Sequence, residues 1–165
     1  MTGRERTPPL ALGPELDFLR TVWRLNHAVE RVSADMARTL GVTAQQRLAL
    51  RIIGKFPGIT PGMLAELLHL DPGTVSATLR RLESRGLVQR RRDHRDRRRV
   101  VLGLTAAGRQ LDRPTEGTLE AAVAQLLRPG DARALGHAAD TLVRLAVLLE
   151  KRPLTSTGRR RRAAP

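Results

Sequence analysis

The sequence contains no cysteine and no tyrosine, and only two phenylalanines and one tryptophan among 165 residues. The lack of cysteine excludes disulfide bonds, thiolate metal sites and redox sensing by thiols. So few aromatic side chains argue against a stacking platform for single-stranded nucleic acid. No apolar run is long enough to cross a bilayer, and the amino-terminal stretch lacks the apolar region of a secretion signal. We therefore expect a cytoplasmic protein without a membrane partner.

The motifs of common enzyme classes are also missing. None of the four histidines has a partner at a recognised metal-ligand spacing. The sequence shows no phosphate-binding loop, no dinucleotide-binding glycine pattern and no nucleophile elbow. We predict that the chain is not an enzyme and needs neither a metal nor another cofactor.

Acidic residues are few. The chain has 16 aspartates and glutamates against 30 lysines and arginines, which gives a formal net charge of +14. This excess favours an anionic polymer as partner, either nucleic acid or a membrane surface. Lys55 and Lys151 are the lysines and all other cations are arginine, which suits bidentate contacts with phosphate and guanine. A GC-rich genome would produce the same bias without any functional selection.

Two short helical patterns separated by a tight turn occupy residues 60–86. Thr60 and Asp71 are good N-caps, each followed by a proline at the first helical position, and Gly86 is a suitable stop. The second helix would bury an apolar stripe and present small, then basic, residues on its other side. We assign the DNA contacts of this helix to Thr74, Ser76, Ala77, Arg80 and Arg81. An ordinary solvated face is the alternative.

A charged hairpin is expected next. Leu87 and Val88 begin one strand and residues 100–102 begin its return. Between them lies QRRRDHRDRRR, residues 89–99, with seven arginines and two aspartates. Such a loop can carry positive charge to phosphates or into a minor groove, and a solvated hairpin is the alternative. The whole stretch predicts a winged helix-turn-helix, a unit that places one helix and one β-loop against double-stranded DNA.

Three pieces resemble the MarR family of bacterial transcription regulators: LAELLHLDPGTVSATLRRLESRGLVQR, then DHRDRR, then LTAAGR. The resemblance covers residues 43–109 and implies a homodimer with helical arms at both chain ends, and a ligand site near the junction of those arms with the DNA-binding lobe. It places Arg95 in a minor groove beside Arg97, and it implies that Asp93, Asp96 and Arg98 brace the wing. The family often has arginine where Ala77 stands, so fewer direct base contacts are expected there.

The fold class that we predict is mainly α with a small β-wing. Residues 1–13 are expected to form a flexible arm, 14–40 and 105–151 the dimerisation helices, 41–104 the DNA-binding lobe and 152–165 a basic disordered tail. A break is expected near Pro114 and Gly117. The late stretch LVRLAVLL is apolar on nearly all sides, which indicates contact with a partner subunit.

Two functions remain open at this point. One is a dimeric repressor that a small-molecule effector, such as an aromatic acid, releases from a palindromic operator. The other is an architectural, nucleoid-associated protein with weak sequence preference. Trp23 and His27, one helical turn apart with Arg20 and Arg24 nearby, are the candidate ligand residues, although a tryptophan on an apolar stripe more often belongs to a core. The effector, the operator and the role of the arginine-rich tail are not encoded in any motif.

Overall fold

A computed structural model of the chain describes residues 12–93, 96–127 and 132–151. In chain order the elements are α1 (Pro14–Thr39), α2 (Ala44–Lys55), α3 (Pro61–Leu68), α4 (Pro72–Ser84), β1 (Val88–Arg92), β2 (Val100–Leu104), α5 (Ala106–Leu111), α6 (Leu119–Leu126) and α7 (Ala132–Glu150). The predicted class, mainly helical with a small hairpin, is confirmed. Contacts divide the chain into two compact units, Met1–Ala122 and Val123–Pro165.

The first unit begins with two helices joined by a tight turn. Gly41, at φ +73°, follows the end of α1. Thr43 and Gln46 form a capping box: the Thr43 hydroxyl accepts from the Gln46 N–H at 3.3 Å, and the Gln46 side chain accepts from the Thr43 N–H at 3.0 Å. Met36 is the buried residue of α1, whereas Leu16, Trp23 and Leu25 are at least half exposed. The apolar side of α1 therefore remains largely uncovered within one chain.

Helices α3 and α4 form the predicted helix-turn-helix. The Thr60 hydroxyl accepts from the Met63 N–H at 3.2 Å, and the Asp71 carboxylate accepts from the Thr74 N–H at 2.9 Å. His69 sits in the turn with a left-handed backbone, φ 51°. After α4, the Leu87 N–H donates to the Leu82 carbonyl and the Gly86 N–H to that of Glu83, which is a Schellman ending. The helix boundaries agree with the predicted ones because local caps determine them.

The hairpin pairs β1 with β2 in antiparallel register, from Val88 opposite Leu104 to Arg92 opposite Val100. Our assignment of residues 89–99 to a loop was wrong in part, because the ladder extends through Arg92 and leaves only residues 93–99 outside it. The other edge of β2 is also partly paired: the Gly58 N–H donates to the Leu102 carbonyl, and the Leu102 N–H donates to the Ile59 carbonyl. The wing is thus held on both sides of β2.

The predicted break after the hairpin is present. Thr105 caps the six-residue α5, and its hydroxyl accepts from the Gly108 N–H at 3.0 Å. The chain then leaves the helical path at residues 112–118 and includes Gly117 at φ +73°. The buried Thr118 hydroxyl accepts from the Ala121 N–H at 3.3 Å, which gives α6 its own N-cap.

The core of the first unit lies within residues 41–104, the predicted DNA-binding lobe. Buried side chains from α2, α3, α4 and the hairpin meet there, and they include the predicted stripe of α4. The cluster comprises Val42, Ala49, Leu50, Ile53, Ile59, Leu64, Ala65, Val75, Leu79, Leu82, Leu87, Val88, Leu102 and Leu104. Because every element of the lobe contributes, α4 and the wing are held in fixed positions relative to each other.

Gly108 is where the first turn of α5 passes closest to the lobe. A Cβ added at this position would lie 2.0 Å from the Leu87 carbonyl oxygen, a backbone atom that also accepts the Thr105 N–H at 3.1 Å. The glycine of the Leu104-Thr105…Gly108 pattern is therefore required by space, since the carbonyl cannot rotate away without breaking that hydrogen bond.

We expect Gly108→Ala to lower the free energy of unfolding by about 1–3 kcal/mol, the usual range for overpacking a tight interior contact. Urea unfolding followed by circular dichroism measures this. Gly103→Ala is the control, because a Cβ at Gly103 meets nothing within 4 Å. Equal stability of the two variants would show that α5 can move away from Leu87 at little cost.

In the second unit, α7 carries apolar side chains around most of its circumference, and Val143 and Leu148 are also exposed. By helical spacing, Leu142, Leu145 and Leu149 share one side, while Asp140, Thr141 and Arg144 share another. Leu142 is 40% exposed and Leu149 is 66% exposed. Most of the predicted amino-terminal arm and the basic tail lie outside the described residues. No described helix has the length and hydropathy needed to cross a membrane.

Candidate nucleic-acid interface

The exposed side of α4 has the composition that the sequence predicted. Ser76, Arg80 and Arg81 are exposed. Ala77, one helical turn before the two arginines, is half-buried. Neither arginine has an ion-pair partner within 4.0 Å among the described residues. Both guanidinium groups are therefore available to an outside acceptor.

Thr74 is more constrained than its sequence position suggests. It is half-buried, and its hydroxyl donates to the second carboxylate oxygen of Asp71 while its backbone N–H donates to the first. These two bonds, the hydroxyl bond foremost, lower the pKa of Asp71. The carboxylate therefore remains ionised at the positive end of α4, where the helix dipole favours it.

Two arginines next to α4 have structural roles that the sequence did not reveal. Arg85 donates to the Gly41 carbonyl and so ties the end of α4 to the α1–α2 turn; a Cβ at Gly41 would collide with this side chain. Arg90 on β1 pairs with Glu83 of α4. Each internal partner lies on a different element from its arginine, so no helical or strand spacing indicates it.

The tip of the wing is closed by backbone hydrogen bonds. The Asp93 N–H donates to the Arg99 carbonyl at 3.0 Å, and the Arg99 N–H donates to the Asp96 carbonyl at 2.9 Å. The Asp96 carboxylate accepts from the backbone N–H of Arg98 at 2.9 Å. Asp96 thus shapes the turn through backbone contacts, and a bracing role for the Arg98 guanidinium stays a prediction.

The wing presents exposed positive charge beside α4. Arg91, Arg92, Arg97, Arg98 and Arg99 are all exposed. Arg95, to which we assigned the minor groove, lies outside the described residues. The arginines of β1 join those of the tip because the strand is longer than expected, so the basic surface extends from the tip towards the lobe.

The candidate ligand residues lie on α1. Trp23 is 61% exposed, and the His27 ring nitrogen Nδ1 is 3.5 Å from a Glu30 carboxylate oxygen. A separate surface cavity of about 780 Å³ lies where α2 meets α3. Its lining comprises Lys55, Phe56, Pro57, Gly58, Ile59, Met63, Glu66, Leu67 and His69. Neither Trp23 nor His27 belongs to that cavity.

A buried arginine was missed by the sequence reasoning. Arg47 on α2 has no exposed surface and donates to groups in the segment after α5. Its burial could have been suspected from the sequence, because Arg47 lies one helical turn from the apolar Leu50 on α2, where a solvated charge is unusual.

Helix-turn-helix, hairpin wing and exposed basic side chains together define a winged-helix module of the kind that binds duplex DNA. The model of the MarR family matches residues 42–100, the part of the chain that carries this module. Residues 42–100 are therefore a MarR-family module. The resemblance stated from the motifs is confirmed, and the family is one of regulators rather than enzymes.

The chain is similar to the organic hydroperoxide resistance transcriptional regulator of Bacillus subtilis, with 38% identity over 69 residues, 42% of this chain and 47% of that protein. It spans about half the length of the curated relatives it matches. A Streptococcus pneumoniae FabT structure in complex with DNA covers 81% of this chain and 94% of its own, with 26% identity and TM-score 0.58. PcaV from Streptomyces coelicolor, solved with its natural ligand, covers 85% of this chain and 99% of its own, with 25% identity and TM-score 0.65.

Proposed function

We propose that this protein is a dimeric transcriptional repressor that binds a palindromic operator and leaves it when a small-molecule effector binds. The observation that carries the DNA-binding part is the pair of unpartnered arginines, Arg80 and Arg81, on the exposed side of α4. They share that side with Ser76 and Ala77, which are small enough to allow close approach to base edges. The exposed arginines of the wing supply phosphate and minor-groove contacts next to it.

The dimer is proposed from uncovered apolar surface. On α1, Leu16, Leu19 and Trp23 are 47–61% exposed, and on α7, Leu142 and Leu149 are 40% and 66% exposed. Apolar side chains in such numbers favour burial against a second copy. We accordingly assign residues 14–40 and 105–151 to dimerisation and 41–104 to DNA binding. Two recognition helices would then meet half-sites about 10 bp apart, centre to centre.

The effector site is proposed near Trp23 and His27. The indole offers an apolar wall, and Arg20 and Arg24 on the same exposed stretch of α1 offer cations for a carboxylate. An aromatic acid has both features. PcaV, solved with its natural ligand, is the ligand-bound relative that favours this reading. A thermal-shift screen of phenolic and other aromatic acids, followed by release of bound duplex, tests it.

The alternative is an architectural protein that coats DNA with weak sequence preference, and the net charge of +14 favours strong nonspecific binding. The two functions differ in the specificity ratio at one salt concentration. A duplex selected from a random library should bind at least about a thousandfold more tightly than a scrambled duplex if the protein is a regulator. A ratio below about tenfold would favour the architectural role.

DNA binding should be indifferent to thiol oxidants. The Bacillus relative is named for organic hydroperoxide resistance, but this chain has no cysteine for a peroxide or diamide to oxidise. We expect the affinity for the selected duplex to be unchanged after diamide treatment, measured by fluorescence anisotropy on purified protein. Release by diamide would require a regulatory chemistry other than the one proposed.

A further inference from the structure

Arg47 joins α2 by four hydrogen bonds to the stretch that runs from the last residue of α5 to the first turn of α6. Its Nε donates to the Glu120 carboxylate, and one terminal nitrogen donates to the Leu111 carbonyl at 2.6 Å. The other donates to the Arg113 carbonyl at 2.9 Å and to the Thr115 hydroxyl at 3.4 Å. The guanidinium is fully buried, so these acceptors replace all of its water. The acceptors therefore lie at the end of α5, in the irregular stretch after it and in the first turn of α6.

Arg51, one turn further along α2, extends the same contact. Its guanidinium donates to the backbone carbonyl of Asp112 and, at 3.0 Å, to the Asp112 carboxylate. Gly54 makes room for this carboxylate, because a Cβ there would lie 2.4 Å from Asp112 Oδ2. Residues 111–115 are therefore held against one side of α2 rather than forming a free linker. We call Arg47, Arg51 and their partners the α2 clasp.

The clasp also holds the start of α6. Glu120 lies in the first turn of that helix, where the dipole stabilises a carboxylate, and its side chain is 35% exposed in its pair with Arg47. Thr118, two residues earlier, caps α6 and donates to the Thr115 carbonyl at 2.7 Å. A charged pair thus ties the first turn of α6 to α2.

We propose that Arg47 is a positioning residue that sets the half-site spacing the dimer accepts. The inference rests on the proposed function, since it requires two DNA-binding lobes joined through the carboxyl-terminal helices. The lobe contains α2 and α4, and the path to α7 begins at α6. A rigid clasp restricts the lobe to one orientation relative to the first turn of α6. Half-site spacings that require another orientation are therefore bound poorly. A loose clasp lets the lobe turn, and the preference for one spacing weakens.

The geometry favours arginine for this role. Lysine at position 47 would keep the charge but offers three donors around one point, and it cannot reach acceptors spread along residues 111–120. Glu120→Gln removes one charge from a partly exposed site while it keeps a similar shape. That substitution is therefore the milder test, and it avoids leaving a cavity in the lobe.

The experiment compares spacings. Full-length protein first selects a duplex from a random library, and variants of that duplex then lengthen or shorten the centre by one or two base pairs. A duplex with a single half-site reports the lobe alone. For Glu120→Gln we expect at least about a fivefold loss on the best spacing, little change on the others, and unchanged affinity for the single half-site. Arg47→Lys should flatten the profile further.

The control is Arg113→Met, which removes a charge from the same segment but leaves its backbone carbonyl to Arg47. It should keep the wild-type profile. A sharp wild-type spacing optimum that Glu120→Gln retains overturns this inference and leaves the proposed function standing. A wild-type protein without any preferred spacing overturns the proposed function, and the inference with it. If Arg47→Lys does not fold, Glu120→Gln alone decides between these outcomes.

Discussion

Glutamate in place of both Leu142 and Leu149 is expected to convert the proposed dimer to a monomer and to lower affinity for the selected duplex at least about a hundredfold. Both leucines lie on the same side of α7 and are exposed within one chain, so the isolated fold should tolerate the change. In a dimer interface the two carboxylates would be buried without partners, which is costly. In a dimer, binding of the first lobe holds the second lobe close to its half-site, so the dimer binds the duplex more tightly than one lobe does. A monomer loses that gain.

Sedimentation velocity at micromolar concentration measures the first effect and fluorescence anisotropy the second. The control is Thr141→Glu with Arg144→Gln. It changes the net charge by the same amount on the side of the same helix that carries Asp140. It should remain a dimer. A dimeric Leu142→Glu/Leu149→Glu protein with normal DNA affinity would place the interface elsewhere and remove the main reason for assigning α7 to dimerisation.

The second large effect is expected at α4. Arg80→Ala should weaken binding to the selected duplex by about 1–3 kcal/mol, roughly fivefold to 150-fold, and relax the preference at one base pair. Binding to scrambled duplex should change much less, because the loss is of a bond to a base edge. Arg80 has no internal partner among the described residues, so its removal should leave the lobe intact.

Arg97→Ala in the wing should behave differently. An arginine that neutralises a phosphate or occupies a minor groove contributes to every sequence, so both duplexes should lose affinity and the salt dependence should flatten by about one unit of slope. Arg95→Ala, which the family pattern assigns to the same groove, belongs in the same series. Arg31→Ala removes an equal charge from α1 as a control. Unchanged affinity and slope for both wing variants would make the wing a solvated hairpin.

Local chemistry accounts for what the sequence predicted well. The caps at Thr60 and Asp71 and the stop at Gly86 each depend on residues within one helical turn, so their spacing identifies them. The apolar stripe of α4 follows from the helical period alone. The exposed candidates Ser76, Arg80 and Arg81 could be assigned because they lie opposite that stripe.

Features that depend on distant partners could not be predicted in this way. Arg90–Arg92 belong to β1 because they pair with Val100–Leu102 across the hairpin, although three consecutive arginines suggested a loop. The pairing of Ile59 with Leu102 joins residues far apart in the chain. Arg47 resembled any solvated helix arginine until the segment after α5 covered it. In each case the deciding partner lies on another element of the fold.

The hydroxyl of Thr74 carries one proton, and that proton is already committed to Asp71. Whatever it meets on a base edge must therefore supply the hydrogen. In the major groove the amino groups of adenine and cytosine can do so, whereas guanine and thymine present only acceptors to it. An operator matched to this protein should accordingly place adenine or cytosine, not guanine or thymine, beneath the first turn of α4. Replacing Asp71 with alanine would free the proton. The same hydroxyl could then either donate or accept, and could form a hydrogen bond with any of the four bases.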